Sequence, residues 1–211
     1  MWLIPPVRYV LADRPARKVG LIFLGIRPMR VACYVDGFNL YHAVADLNKP
    51  HLKWLNIWAL AESLCRPGEN LAKVAYFSAY ATWLPGPYAR HRVYVAALKN
   101  SGVECHIARF SEKTAKCLNC GSSWKTHEEK ETDVHFSLTL LEDAIDDIFD
   151  RAIIVSADSD HIPAVRRVRA RYPGKQLADR RLLFRHLCQP AIRAIRHISI
   201  TRGRAGTVTR K

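Results

Sequence analysis

The stretch Ala152-Ile153-Ile154-Val155-Ser156-Ala157-Asp158-Ser159-Asp160-His161-Ile162-Pro163 decides the fold. Its four leading apolar residues are too few and too β-branched for a helix, and they read as a strand of a parallel sheet, buried on both faces. The small residues that follow allow a sharp turn, and a Ser or Asp among them can cap the helix predicted over the basic run 164–171. Asp158 and Asp160 therefore stand just past the C-terminal end of a strand, where open α/β sheets hold their ligands. A strand-to-helix turn with an acidic cap needs one Asp, and here there are two.

Upstream, Val31-Ala32-Cys33-Tyr34-Val35 reads as a second strand, followed by Asp36-Gly37-Phe38-Asn39. Asp36 ends its strand much as Asp158 follows the other, and Gly37 lets the backbone turn closely behind the carboxylate. A turn residue and a helix N-cap are the ordinary roles of Asp36 and Asn39. Their combination with the second acidic turn is what points to a site. Segments 55–64 and 87–100 predict helices, with Pro87 in a first turn and Gly102 as a stop, and 73–79 and 103–108 predict strands. This β-α alternation argues for an α/β fold with a mostly parallel sheet and helices on both faces. Within 131–150, Val134, Leu138, Leu141, Ile145 and Ile148 fall at helical spacing and predict an inward face. Asp133 lies in that helix's first turn, beside the positive end of its dipole. Dipole complementation would equally account for Glu128, Glu129 and Glu131.

The chain carries a net charge of +14 over 211 residues, but the charge is unevenly placed. Six Lys/Arg against Asp13 leave +5 in residues 1–30, nine against Asp179 leave +8 in residues 178–211, and the central 31–177 hold only +1. The basic ends are thus poor evidence for what the centre binds. The apolar run 21–26 is too short to cross a bilayer and no cleavage site follows it, so the chain reads as cytoplasmic, without a membrane partner. Residues 1–28 read as an unstructured extension ahead of Met29, residues 29–177 as the domain, and residues 178–211 as a basic tail. A strand is due near residue 176, yet the sequence turns Arg-rich there.

Six Cys at 33, 65, 105, 117, 120 and 188 include one close pair, which excludes a small disulfide scaffold. Cys117-x-x-Cys120-Gly121, inside the polar insertion 111–130, has the form of a zinc knuckle. Cys117, Cys120 and His127 would supply three ligands of a structural zinc, with Cys105 or His106 as a fourth. A metal-free thiol pair and a redox pair are the alternatives.

Asp36, Asp133, Asp158 and Asp160 come from three distant places in the chain. Brought to one sheet edge without a committed Lys or Arg, they would repel and shift one another's pKa values. A divalent cation relieves that repulsion, and oxygen-only ligands select Mg²⁺ or Mn²⁺. Arg90, Arg92, Lys53 and Trp54 are candidates for backbone binding or base stacking. A solvated helix face and a core Trp would explain them as well.

Three segments, Y-V-D-G-F-N-L-Y-H at 34–42, E-E-K-E-T-D-V at 128–134 and V-S-A-D-S-D-H-I-P at 155–163, resemble the signature motifs of the NYN domain family, in the PIN-like ribonuclease superfamily. The resemblance covers about residues 29–177, and the Cys-x-x-Cys insertion is similar to that of a bacterial subgroup. It implies a Rossmann-like three-layer α/β/α fold and metal-dependent cleavage of RNA, single-stranded or structured. By position, Asp36, Asp133 and Asp158 would hold the metal, Asp160 would assist, and Asn39 would orient a carboxylate or the substrate. A non-catalytic RNA-binding or scaffold module of the same fold, and a structure-specific DNA nuclease, are the competing expectations. A homo-oligomer is compatible with the sequence.

Overall fold

The computed structural model describes residues 27–48 and 50–179, so the expected extension at 1–28 and tail at 178–211 lie almost wholly outside the described residues. The elements follow one another as β1 (Met29–Asp36), α1 (Gly37–Ala45), a 3₁₀ turn (Pro50–Trp54), α2 (Ile57–Ser63), β2 (Glu69–Ala79), α3 (Pro85–Asn100), β3 (Glu104–Lys116), β4 (Ser123–Lys130), α4 (Thr132–Ile145), β5 (Arg151–Val155), α5 (Ile162–Arg171) and β6 (Gln176–Asp179). The strands form one mixed sheet in the order β4-β3-β2-β1-β5-β6. Every pairing is parallel except β3 with β4.

β1 is central because it is apolar on both faces. Val31, Cys33 and Val35 pack with Leu40, Ile57, Val95 and Leu98 from α1, α2 and α3. Ala32 and Tyr34 face the opposite way, onto Phe136, Leu140, Val165 and Val168 from α4 and α5. Burying each such Val, Leu, Ile or Phe side chain contributes about 1.5–3 kcal/mol, so the two faces together hold the helices on the sheet. β1 pairs with β2 on one side and β5 on the other, and the strand order reverses between them. That reversal opens a crevice at the C-terminal ends of β1 and β5.

Three expectations need correction. The α4 stripe Val134, Leu138 and Ile145 is 50–59% exposed, and the buried residues are Thr132, Phe136, Thr139, Leu140, Asp143 and Ala144. Two residues turn a helix by about 200°, so the faces of Val134 and Phe136 are nearly opposite. The Phe136 face wins because its ring packs on Phe77 and Tyr34. Asp143 on the same face accepts from the Tyr34 hydroxyl at 2.7 Å and Lys73 Nζ at 2.9 Å, which satisfies a buried acid. The strand hidden by Arg-rich sequence is present as β6, so the boundary drawn at 177/178 falls inside an element.

The third correction concerns residues 111–130, which are largely a hairpin rather than a compact knuckle. β3 leaves the sheet after Ala108 and pairs antiparallel with β4 from Arg109 opposite Lys130 to Lys116 opposite Ser123. Cross-strand charge pairs, Lys125 with Glu112 at 2.9 Å and Lys113 with Glu128, replace the missing apolar face.

Candidate metal centre

Asp36 ends β1 and caps α1. Its Oδ1 accepts from the Phe38 and Asn39 backbone N–H at 3.1 and 3.0 Å, and its Oδ2 from the Ser156 hydroxyl at 3.0 Å and the Asn39 side-chain amide. Asn39 Oδ1 in turn accepts from Ala157 N at 3.3 Å, so one Asn ties the β1 end to the β5 end. The turn after β5 is fixed the same way. Asp158 N donates to Ser156 Oγ and Asp160 N to Asp158 Oδ1, each at 3.0 Å.

Asp133, in the first turn of α4, meets this turn. One carboxylate oxygen from each of Asp133, Asp158 and Asp160 lies within 4.8 Å of the others, and among the described residues this is the one group of three or more acids, His or Cys so arranged. Asp36 lies beside this group but outside it. Only 5% exposed and engaged by four donors, it is a buried anion and not one of the three converging oxygens.

Two residues not singled out from the sequence complete the arrangement. His161 is 2% exposed, stacked on Phe136 at 3.9 Å, with Nε2 3.7 Å from both Asp36 Oδ2 and Asp133 Oδ1. At 3.7 Å these are electrostatic contacts, and neither ring nitrogen has a hydrogen-bond partner among the described residues. Glu129, at the end of β4, accepts from the Thr132 hydroxyl near the same acids. The signal for both was in the quoted motifs, but a lone His and one Glu of several carried no spacing of their own.

The carboxyls sense one another. Burial acts to raise the Asp36 pKa, but His161, Asn39 and Ser156 stabilise its anion, and the balance lies below the ordinary value. Asp133 is raised, by burial first and then by the charges of Asp158, Asp36 and Asp160, with His161 opposing. Glu129 is pushed up to about 7 by burial and the Asp36 and Asp133 charges, against the Thr132 hydroxyl. An all-oxygen donor set in which the neighbouring charges raise the Asp133 pKa fits a hard divalent cation.

The remaining expected residues divide. Lys53, Trp54 and Arg90 line one cleft of about 340 Å³ whose wall includes Gly37, next to Asp36 in sequence, whereas Arg92 stands over the Tyr88 ring at 5.6 Å. Trp54 is 52% exposed, so it is no core Trp. Cys117 and Cys120 sit together at the hairpin tip, where Gly121 takes a positive φ of 70° and Cys120 Sγ lies 2.9 Å from Ser122 Oγ. His127 is not with them. It stacks on Trp83 at 3.6 Å and pairs in register with Glu112, five residues down the arm from Cys117. Cys105 and His106 lie further back still, beside β2. His127 was expected as a zinc ligand on sequence proximity, but an extended strand separates in space what the sequence keeps close.

No helix among the described residues is long and apolar enough to cross a membrane. A Pseudomonas putida protein named 6-hydroxy-3-succinoylpyridine 3-monooxygenase HspA is 26% identical over an alignment covering 70% of this chain and 58% of that protein. The chain thus spans less than two thirds of this relative's length. The pattern of the NYN domain matches residues 30–176, from β1 through both acidic turns and the hairpin to the start of β6. With that match across more than half its length, the chain belongs to the NYN domain family, of the PIN-like superfamily.

Proposed function

We propose that the chain is a metal-dependent ribonuclease that hydrolyses RNA phosphodiester bonds at the Asp133–Asp158–Asp160 cluster. The convergence of these three carboxylates within 4.8 Å carries the reading. They would hold Mg²⁺ or Mn²⁺, which when bound supplies Lewis acidity toward a phosphoryl oxygen and lowers the pKa of water. Asn39 and Ser156 hold the 156–160 turn against Asp36, and Asp36 adds a negative charge felt by Asp133. His161, flat on Phe136, sets its Nε2 within 3.7 Å of both Asp36 and Asp133, where it eases their mutual repulsion. Glu129, with a pKa of about 7, is suited to take or return a proton at neutral pH. Lys53 and Arg90 would bind the RNA backbone, with Arg92 further along α3, and Trp54 a base.

A Rossmann-like three-layer arrangement and membership of a bacterial subgroup with a Cys-x-x-Cys insertion belong to the same reading. The exposed Cys117–Cys120 tip would supply two ligands of a structural zinc, the others coming from outside the described residues or from a second copy in a homo-oligomer. A cytoplasmic, reducing setting accords with five free cysteines among the described residues.

The test is incubation of labelled mixed-sequence RNA and DNA with the purified chain in Mn²⁺ or Mg²⁺ and in excess EDTA. Metal-dependent cleavage of RNA supports the reading. Cleavage of DNA alone would make the enzyme a structure-specific DNA nuclease, and metal-supported RNA binding without cleavage would make it a scaffold module. The cleft beside Asp36 favours a second reading drawn from the relative's name, chemistry on a small pyridine acid. Turnover of 6-hydroxy-3-succinoylpyridine, and none of RNA, would establish it.

A further inference from the structure

An aromatic cleft lies near the C-terminal end of β1. Gly37 and Phe38, the two residues after Asp36, line it together with residues of α1, β2 and α3. Tyr41, Trp54, Tyr88 and Tyr94 supply aromatic surface, and Lys53 and Arg90 supply positive charge. Tyr41 and Trp54 are 49% and 52% exposed, so two large rings present surface toward solvent. The Trp54 ring is braced. Tyr94 meets it edge-on at 6.0 Å, and the Tyr94 hydroxyl donates to Leu55 O at 2.8 Å. Lys53 Nζ lies 5.1 Å from the Tyr41 ring centre and donates to its hydroxyl at 3.4 Å, which sets a cation at the aromatic wall. A volume of about 340 Å³ is at the small end for ligand sites, room for one ring system with its substituents.

We propose that this cleft is a base pocket. It takes the unstacked base of the nucleotide flanking the phosphate held at the Asp133–Asp158–Asp160 cluster, so that the substrate is single-stranded RNA. The proposal rests on the ribonuclease reading for the identity of that phosphate. Gly37 in the cleft wall directly follows Asp36, so the cleft opens at the C-terminal end of β1, the edge of the sheet that carries the cluster. A base paired within a duplex cannot enter without leaving its stack. Stacking on an aromatic face tolerates any base, so the pocket selects strandedness ahead of sequence.

Two measurements on the full chain test this. Calorimetry without metal compares UMP and AMP with ribose 5-phosphate, which lacks the base. The nucleotides should bind roughly ten- to hundredfold more tightly, the scale of one stacked base. Trp54→Ala should erase that margin and Trp54→Phe should keep most of it. In Mn²⁺, an RNA with a single abasic nucleotide scanned along it should be cut more slowly by a similar factor when the gap falls at one fixed distance from the cut. The duplex should resist. Equal binding of ribose 5-phosphate, or cleavage indifferent to the abasic scan and to Trp54→Ala, overturns the pocket. A chain that discriminates bases yet cleaves nothing overturns the ribonuclease reading and leaves the pocket standing. A chain that cleaves with metal but ignores the base overturns the pocket alone.

Discussion

The two edges of the sheet treat acids in opposite ways. At the N-terminal edge three acids are held by cations. Asp147 pairs with Arg30 at 2.6 Å and Lys175 at 2.7 Å, Asp150 with Arg30 at 2.8 Å, and Glu69 with Arg151 at 2.5 Å. At the C-terminal edge, Asp36, Glu129, Asp133 and Asp160 form no ion pair with Lys or Arg among the described residues, and the basic partner of Asp36 and Asp133 is His161. The titration follows. Lys175 and Arg30 hold the Asp147 carboxyl down at about 2, whereas burial and like charges push Glu129 up to about 7. Neutralised acids fasten elements together, and acids left close to one another make a place for a cation that the chain does not itself supply.

The contrast breaks most visibly in activity. Asp158→Asn should reduce metal-dependent RNA cleavage by roughly 10²–10³-fold, the scale of losing a preorganised electrostatic contact. Its thermal midpoint without metal should be unchanged or slightly raised, because repulsion is relieved. Glu69→Gln should do the reverse. The Glu69 and Arg151 side chains are 5% and 1% exposed, so removing one charge strands the other. The cost is about 3–5 kcal/mol in urea unfolding, with the metal affinity of the folded fraction unaltered.

Gly37→Ala sits between the two outcomes. A Cβ there would lie 2.6 Å from Tyr76 Cζ, and Tyr76 is itself buried, so the strain should cost about 1–3 kcal/mol and distort the end of β1. The pH dependence is smaller. From pH 4.5 to about 7 the folded chain keeps the Glu129 proton that the unfolded chain releases, so this residue's contribution to stability falls as pH rises through that window. Metal-free melting at pH 4.5 and 7.5 should therefore show a loss in the wild type that Glu129→Gln reduces. Added Mg²⁺ should recover it at the higher pH by binding the folded state. A pH slope identical in both proteins would remove Glu129 from the account. The smallest effect is expected at the exposed stripe of α4. Leu138→Ala, at 50% exposure, should stay within about 0.5 kcal/mol of the wild type.

That last substitution also marks where the sequence ran out. β1 and β5 were legible because runs such as Val31–Val35 and Ala152–Val155 are apolar on both faces, which leaves few options but central parallel strands. Adjacent strands bring their ends together, so the gathering of acids near one edge followed from strand order. The phase of α4 did not, since Val134 with Leu138 and Phe136 with Leu140 are equally good four-residue pairs. The choice was made by Tyr34, Lys73 and Phe77, which lie on other strands. The hairpin arm was hidden for a different reason. Its strands alternate Lys, Glu and Thr with few apolar residues, and their pairing depends on cross-strand charges that no single strand displays. The burial of Asp36 outside the three-acid group goes with donors at Asn39 and Ser156, and the Ser156 bond appears only once the two turns meet.

The central claim is that the acidic C-terminal edge is the seat of a hard cation. It is tested most directly by a crystal of the full chain grown with Mn²⁺, with the ion located by its anomalous scattering. The account predicts manganese among the Asp133, Asp158 and Asp160 carboxylates, within reach of Asp36 directly or through water, and its loss in Asp158→Asn. Full occupancy elsewhere with that edge empty, or an ion that Asp158→Asn leaves undisturbed, would contradict it.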